Sequence, residues 1–315
     1  MSLQNSTIFV TGGTGFIGIN LLRRLEELGA QTVALVRPGA NLVRLRSLNK
    51  LRIRVGDVTD AKMISDLMVE IQPDYVFHLA TSRENATPDE RLRMITSNTC
   101  GITNLLEGCL RAPHCRIICT GSSMEYGYRK EPFHENRPSE PDTLFGASKE
   151  AATNLCMAYH KQYALQVVVL RLFHVYGYWE PSHRLVPTVI DAALTGNPIR
   201  LTASATRRDF VFVEDVVDAY VMAAGRKRVN GQIINIGTGI QHTNRDVVAG
   251  IERISGRRIS VEASAFPERS YDRDFWVADI QRAKEMLGWM PQTPLIEGLR
   301  KSYEWAKQNH SALTR

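Results

Sequence analysis

A doubly wound α/β fold is predicted: one parallel sheet with helices on both faces, completed by a smaller mixed α/β lobe. Three observations predict it. Short, continuous apolar runs alternate with amphipathic stretches through the first half of the chain, the pattern of buried parallel strands joined by crossover helices. A glycine-rich loop, Thr11-Gly12-Gly13-Thr14-Gly15-Phe16-Ile17-Gly18, lies between the first apolar run and the first amphipathic one. Beyond Tyr176-Gly177 the alternation loosens, which marks the second lobe.

The elements follow in order. Thr7-Ile8-Phe9-Val10 is β-branched, apolar and bounded by glycine, so it reads as a buried strand. Phe16, Ile17, Leu21, Leu22, Leu25 and Leu28 then recur at helical spacing until Gly29. Between them, Gly13-x-Gly15-x-x-Gly18 fits a dinucleotide fingerprint. Its glycines permit a tight turn, close approach of a pyrophosphate and close helix–strand packing. The helix N-terminus beyond presents N–H groups and a positive dipole end to the phosphates. Gly12, Gly13, Thr14, Gly15, Phe16, Ile17 and Gly18 are therefore cofactor candidates, and the domain is Rossmann-type. Strands are expected at Gln31–Val36, near Leu51–Val55, and at Asp74–Leu79, Cys115–Thr120 and Leu165–Phe173. Helices are expected near Asp60–Ile71, through Asn98–Leu110 and near Asp142–Tyr163. In the second half, helices near Val186–Thr195, Glu214–Ala224 and Thr243–Ser255 accompany strands near Ile199–Leu201 and at Gln232–Ile236, and Arg207–Val213 forms a further segment. Two terminal helices are separated by Pro291 and Pro294. Residues 1–177 form the dinucleotide-binding domain, with additional elements from 203–240, and 178–315 form a substrate lobe.

The chain has 315 residues and a net charge of +6, length enough for a large core. Its arginines are scattered, without a basic tail or aromatic-interleaved motif, which argues against nucleic acid. A phosphorylated small molecule accounts for them equally well, because guanidinium grips phosphate bidentately. No apolar run reaches membrane-spanning length, and the N-terminus has no signal-peptide anatomy, so a cytoplasmic protein is expected. Cys100, Cys109, Cys115, Cys119 and Cys156 lack CxxC spacing; reduced thiols and no metal are expected. The acidic residue that would hold a ribose 2′-hydroxyl should end the second strand, where the sequence instead has Ala34-Leu35-Val36-Arg37-Pro38. Arg37 could pair with a 2′-phosphate, so NADP is expected ahead of NAD. Asp57, with Val58, is the candidate for the adenine edge.

Later strand ends carry a resemblance. In order stand His78-Leu79-Ala80-Thr81, Thr120-Gly121-Ser122-Ser123-Met124-Glu125-Tyr126-Gly127, Phe145-Gly146-Ala147-Ser148-Lys149 and Leu170-Arg171-Leu172-Phe173-His174-Val175-Tyr176-Gly177. Arg208-Asp209-Phe210-Val211-Phe212-Val213-Glu214-Asp215-Val216 and Leu287-Gly288-Trp289-Met290-Pro291 follow. Together these resemble the extended short-chain dehydrogenase/reductase family, in its nucleotide-sugar epimerase, dehydratase and 4-ketoreductase branch. The resemblance implies catalysis by a serine or threonine, a tyrosine that exchanges a proton with the sugar, and a lysine that binds the nicotinamide ribose. Carried over, Ser122, with Ser123, is the polarising hydroxyl and Lys149 the lysine. Leu79, Ala80, Thr81, Asn98, Phe173 and His174 complete the cofactor candidates.

The tyrosine position is Phe145. A phenyl ring has no proton to exchange, and loss of a general acid–base costs about 10²–10⁴ in rate. An altered variant, a replacement donor (Ser123, Tyr126 or water) and lost redox chemistry all stay open. Dehydratases of this branch carry an acidic residue just after the serine or threonine; Ser123 and Met124 offer none. Gly-Ser-Ser-x-Glu-Tyr-Gly looks more like the reductases of 4-keto-6-deoxy sugar nucleotides, in which His174 also has counterparts. An NADP preference points the same way, since an epimerase retains NAD. A nucleoside-diphosphate sugar is the implied partner. Arg208 matches the family arginine at the diphosphate, Arg269 resembles a second, and Arg184 is a weaker candidate beside the base. Arg83, Met124 and His174 complete the substrate candidates. A 4-epimerase and a catalytically silent nucleotide binder are the rival readings. A homodimer is implied through the Asn98–Leu110 and Asp142–Tyr163 helices.

Overall fold

The computed structural model describes residues 3–83, 86–112, 114–201, 206–262 and 273–313. Strands β1 (Thr7–Thr11), β2 (Gln31–Val36), β3 (Arg52–Val55), β4 (Tyr75–His78), β5 (Arg116–Ser122) and β6 (Gln166–Leu172) alternate with helices α1 (Phe16–Glu27), α2 (Ala61–Ile71), α3 (Pro88–Leu110) and α4 (Leu144–Tyr163). After β6 come β7 (His174–Tyr176), α5 (Leu185–Thr195), β8 (Ile199–Arg200), β9 (Arg207–Phe212), α6 (Val213–Gly225) and β10 (Gln232–Ile236). The chain closes with β11 (Gln241–Thr243), α7 (Asn244–Ser255), β12 (Val261–Glu262) and α8 (Leu295–Leu313).

Seven strands form one parallel sheet in the order β10-β6-β5-β4-β1-β2-β3. The apolar residues of each strand serve both faces. Ile8 and Val10 pack with Ile19, Leu22, Leu25 of α1 and Val216, Tyr220 of α6. Phe9, Val33 and Val76 pack with Ile64 and Met68 of α2, Ile102 and Leu105 of α3, and Ala152 and Cys156 of α4. Helices thus cover both faces, as the uninterrupted apolar strands require. Strand order reverses between β1 and β4, so the carboxyl ends of these two strands open the crevice where ligands bind in such sheets.

The second lobe joins α5, α7 and α8 around Val189, Ile190, Val247, Ile251 and Leu299, against a small sheet of order β11-β9-β7. His174–Tyr176 leaves the main sheet and pairs with Phe210–Phe212, just after Phe173 N–H bonds the Ile236 carbonyl at the end of β10. Helix α3 also starts ten residues before the expected Asn98. Thr87 and Glu90 form a reciprocal capping box with Pro88 in the first turn, a start signal in the sequence itself. Cys109, Cys115, Cys119 and Cys156 are buried free thiols. Among the described residues no cluster suits a metal ion, and no helix is long and apolar enough to cross a membrane.

Candidate functional site

The glycine loop follows β1 at the switch point. Thr11 turns its hydroxyl inward to His78 Nδ1, 2.8 Å away, tying the ends of β1 and β4 together. Burial, with Lys149 nearby, pushes His78 down to about 3, so it is a neutral strut. Gly12 has φ +77°, and a Cβ there would lie 2.5 Å from Ala80 N. A Cβ on Gly18 would lie 2.1 Å from the Gly12 carbonyl oxygen. Only glycine permits this loop–helix contact. Gly15 caps α1 without a side chain, and the first turn holds no acidic residue. The open N–H groups at that end suit a pyrophosphate, so the cradle fits a dinucleotide.

Around the cradle, Arg37 is exposed beyond β2. Asp57 Oδ1 accepts from Thr59 N–H at 2.9 Å and Thr59 Oγ1 at 2.8 Å. Val58 packs on Gly101 of α3, where an added Cβ would lie 2.8 Å from it. One cation was missed from sequence. Arg44, in a 3-10 turn spanning Val43–Ser47, reaches the Thr14 carbonyl at 3.4 Å, and burial pulls its guanidinium below the ordinary value. Nothing in the spacing of residues 40–47 signals that approach.

The chemical end lies where β5 meets α4. Strand β5 runs into a 3-10 turn, Ser123–Tyr126, whose cap is Ser122; its Oγ accepts from Met124 N–H at 3.2 Å. Glu125, fully buried, accepts from Ser122 N–H at 2.6 Å, Arg171 Nε at 2.6 Å and Thr153 Oγ1 at 2.9 Å. Thr143 caps α4 through Gly146 N–H at 3.0 Å. A Cβ on Gly146 would lie 2.3 Å from the Met124 carbonyl oxygen, so this glycine lets the first turn of α4 sit against the serines. Phe145 is half-buried in that turn, with Lys149 one turn further and only 4% exposed. Burial lowers the Lys149 pKa and Glu125 opposes it.

Ser123 Oγ accepts the indole N–H of Trp276 at 3.0 Å, a contact across 153 residues that sequence reading missed. Tyr126, one of the open donor options, is a buried packing residue. Its hydroxyl donates to Asn235 Oδ1 at 2.7 Å, its ring stacks on Phe133, and burial pushes it up to about 12. Phe173 and Met124 pack with the same aromatic cluster. Asn98 is buried with its amide fully engaged. It accepts from Ser82 N–H (2.9 Å) and Thr81 Oγ1 (3.1 Å), and donates to Ser148 Oγ (2.9 Å) and the Ser82 carbonyl (3.1 Å). It positions the loop after β4, which includes Leu79, Ala80 and Thr81.

His174 meets one arginine directly and feels the charge of two more. Arg184 Nη2 lies 3.3 Å from His174 Nε2, and the ring meets Phe210 edge-on. Burial, then Arg184, Arg208 and Arg83, hold His174 well below its usual range, so it is neutral. Arg184 pairs with buried Glu180 at 3.2 Å and faces the Phe16 ring of α1 at 5.9 Å, bridging the lobes. Arg208 lies over Trp276 at 5.8 Å, and Arg83 over Phe145 at 4.4 Å. Arg269 lies outside the described residues. Contacts thus join the candidates in pairs: Arg83 lies on Phe145, Ser123 and Arg208 both meet Trp276, and Arg184 meets His174.

The chain is similar to known proteins along most of its length. Residues 8–237 match the model of the NAD dependent epimerase/dehydratase family. The UDP-glucose 4-epimerase of Mycolicibacterium smegmatis is 31% identical, covering 94% of this chain and 97% of that protein. The dTDP-glucose 4,6-dehydratase of Haemophilus influenzae is 28% identical over 97% of this chain and 99% of its own. A tyrosine-to-phenylalanine mutant of the Bacillus cereus UDP-glucuronic acid 4-epimerase, solved with NAD and a fluorinated sugar nucleotide, superimposes with a TM-score of 0.84. It is 27% identical, over 96% of this chain and 99% of that one.

Proposed function

The chain belongs to the NAD dependent epimerase/dehydratase family, and from that premise we propose that it reduces a nucleoside-diphosphate 4-keto sugar, 6-deoxy sugars included. A reduced nicotinamide dinucleotide, bound in the glycine cradle, supplies the hydride. Lys149 holds the nicotinamide ribose, Ser122 and Ser123 hydrogen-bond the sugar oxygen, and Arg208 and Arg184 take the diphosphate end. NAD is the dinucleotide named with the solved relative. The NADP preference expected from Arg37 has no support among the relatives, so NAD is the first cofactor to test.

The observation that carries reduction is the Trp276–Ser123 hydrogen bond. With a lone pair of Ser123 Oγ held by an indole N–H, the serine is set to donate its own proton. Phe145 cannot accept one. A site equipped to donate suits a carbonyl gaining electrons better than an alcohol losing a proton. The 4-epimerase reading draws on the 31% identity to a UDP-glucose 4-epimerase. The Bacillus cereus mutant, which holds both NAD and a sugar nucleotide, supports an intact binding pocket around a phenylalanine.

The test is consumption of NADH and NADPH with UDP- and dTDP-linked 4-keto-6-deoxyglucose, for this chain and for Phe145→Tyr. Consumption by the native chain is expected. If neither protein turns over while both bind dinucleotide, the reductase reading is wrong. C4 inversion of UDP-glucose with tightly retained NAD and no net consumption would establish the epimerase instead.

A further inference from the structure

Two arginines reach the start of α1 from outside it, and the fold neutralises one of them. Arg184 faces the Phe16 ring at 5.9 Å and pairs with buried Glu180 at 3.2 Å. Arg44 approaches the same helix start from the Val43–Ser47 turn. It is half-buried; its Nη1 donates to the Thr14 carbonyl at 3.4 Å, and its Cζ lies 5.9 Å from the centroid of the Trp179 ring. Among the described residues these are its only hydrogen-bond, ion-pair or ring contacts, and no carboxylate is one of them. Burial alone acts on its guanidinium, with no charged neighbour opposing it.

The indole that covers Arg44 is held in place at some strain. Trp179, in the segment between β7 and α5, has a left-handed backbone with φ +67°, a conformation that bulky residues rarely adopt. Its ring also meets Trp305 of α8 at 5.0 Å. A cation drawn partly out of water is unfavourable without an opposite charge, and this one lies at the positive end of the α1 dipole. Gly15, next to Thr14, caps that end without a side chain, and the first turn carries no acidic residue. Nothing among the described residues offsets either positive feature. An anion seated in the glycine cradle offsets both.

We propose that Arg44 is a binding residue for a phosphate group of the dinucleotide, its half-buried charge being neutralised when that anion occupies the glycine loop. This rests on the dinucleotide reading of the cradle and is independent of the reaction that follows. The attraction is between charges and needs no particular hydrogen bond from the guanidinium. Removal of the charge therefore acts oppositely on the two states. The ligand-free protein is relieved of a partly desolvated cation, whereas the loaded protein loses an attraction. A merely structural contact would weaken both.

Calorimetric titration with NADH, NADPH and ADP-ribose tests this on the native chain, Arg44→Gln and Arg44→Lys, beside thermal unfolding of each ligand-free protein. Arg44→Gln is expected to weaken binding about tenfold while its ligand-free Tm stays the same or rises. Arg44→Lys, which keeps the charge, is expected to recover most of the affinity. Added salt should weaken the native complex more steeply than the Arg44→Gln complex. A loss shared by all three ligands assigns the cation to the pyrophosphate, and a loss confined to NADPH assigns it to a 2′-phosphate. Unchanged affinity for all three, or lost affinity with a matching fall in ligand-free Tm, would overturn the proposal while leaving the cradle intact. If the native chain binds none of the three, the dinucleotide reading fails and the role of Arg44 fails with it.

Discussion

Removal of the Glu125 carboxylate should be among the most damaging single changes outside the cleft surface. Glu125 is fully buried and Arg171, its partner at 2.6 Å, is 3% exposed. The carboxylate also accepts from Ser122 N–H and Thr153 Oγ1. Glu125→Ala leaves a buried guanidinium unpaired, a cost of about 3–5 kcal/mol. Two orphaned donors add about 1 kcal/mol or more each, although the terms are not additive. Ser139 Oγ and the Tyr126 face still hold Arg171, which keeps the sum near the lower end. We expect a loss of about 4–5 kcal/mol, a large part of the about 5–15 kcal/mol that stabilises a typical domain. Urea unfolding of Glu125→Ala, Arg171→Met and the double variant measures it. The double variant should cost at least about 1.5 kcal/mol less than the sum of the singles, because it removes both charges together. A loss below about 1 kcal/mol for Glu125→Ala, or strict additivity, would refute the argument.

Gly18→Ala should abolish dinucleotide binding, since its methyl carbon would fall 2.1 Å from the Gly12 carbonyl; calorimetric titration with NADH checks this, and unchanged affinity would contradict the cradle. Burial raises the Glu180 carboxyl from 4.5 to about 7 despite Arg184. The folded chain therefore keeps a proton there that the unfolded chain has released. That contribution is complete below pH 4.5 and is lost as pH rises towards 7, by up to about 3 kcal/mol. Glu180→Gln should flatten the stability–pH curve between these values in urea titrations, and an unaltered curve would refute the assignment. Finally, α3 and α4 leave Leu92, Ile95 and Tyr163 exposed, and we propose that this face joins two copies of the chain. Sedimentation velocity should give twice the chain mass, reverting to a monomer in Leu92→Glu/Ile95→Glu; a native monomer would rule the dimer out.

Much of the candidate site could be proposed along the chain because strand ends and helix starts are local features. The glycine loop, the paired serines and the arginines at 83 and 208 follow or flank a strand whose apolar run is visible in sequence, and Lys149 and Arg184 lie at helix starts. Asn98 was found as a candidate, but its role was not: its four hydrogen bonds connect segments that sequence gives no reason to juxtapose. Trp276 and Arg44 were missed for a related reason. Each reaches the site by a long-range contact, to Ser123 and to Thr14, and long-range pairing leaves no periodicity to read. Tyr126 offered a hydroxyl on paper, and packing against Phe133 and Asn235 withdrew it.

Sequence alone determined the doubly wound sheet, the dinucleotide cradle and the absence of a phenol at position 145. These depend on residue type, hydrophobic period and the steric needs of glycine, all of which act over a few neighbouring residues. Tertiary structure decided what surrounds that phenyl ring. Only the folded chain brings Arg83 over it, turns Trp276 towards Ser123 and sets Arg184 against a neutral His174. Those placements follow from how β4, β5, β7 and the segment before α8 converge at the carboxyl edge of the sheet, a matter of packing between residues far apart in the chain.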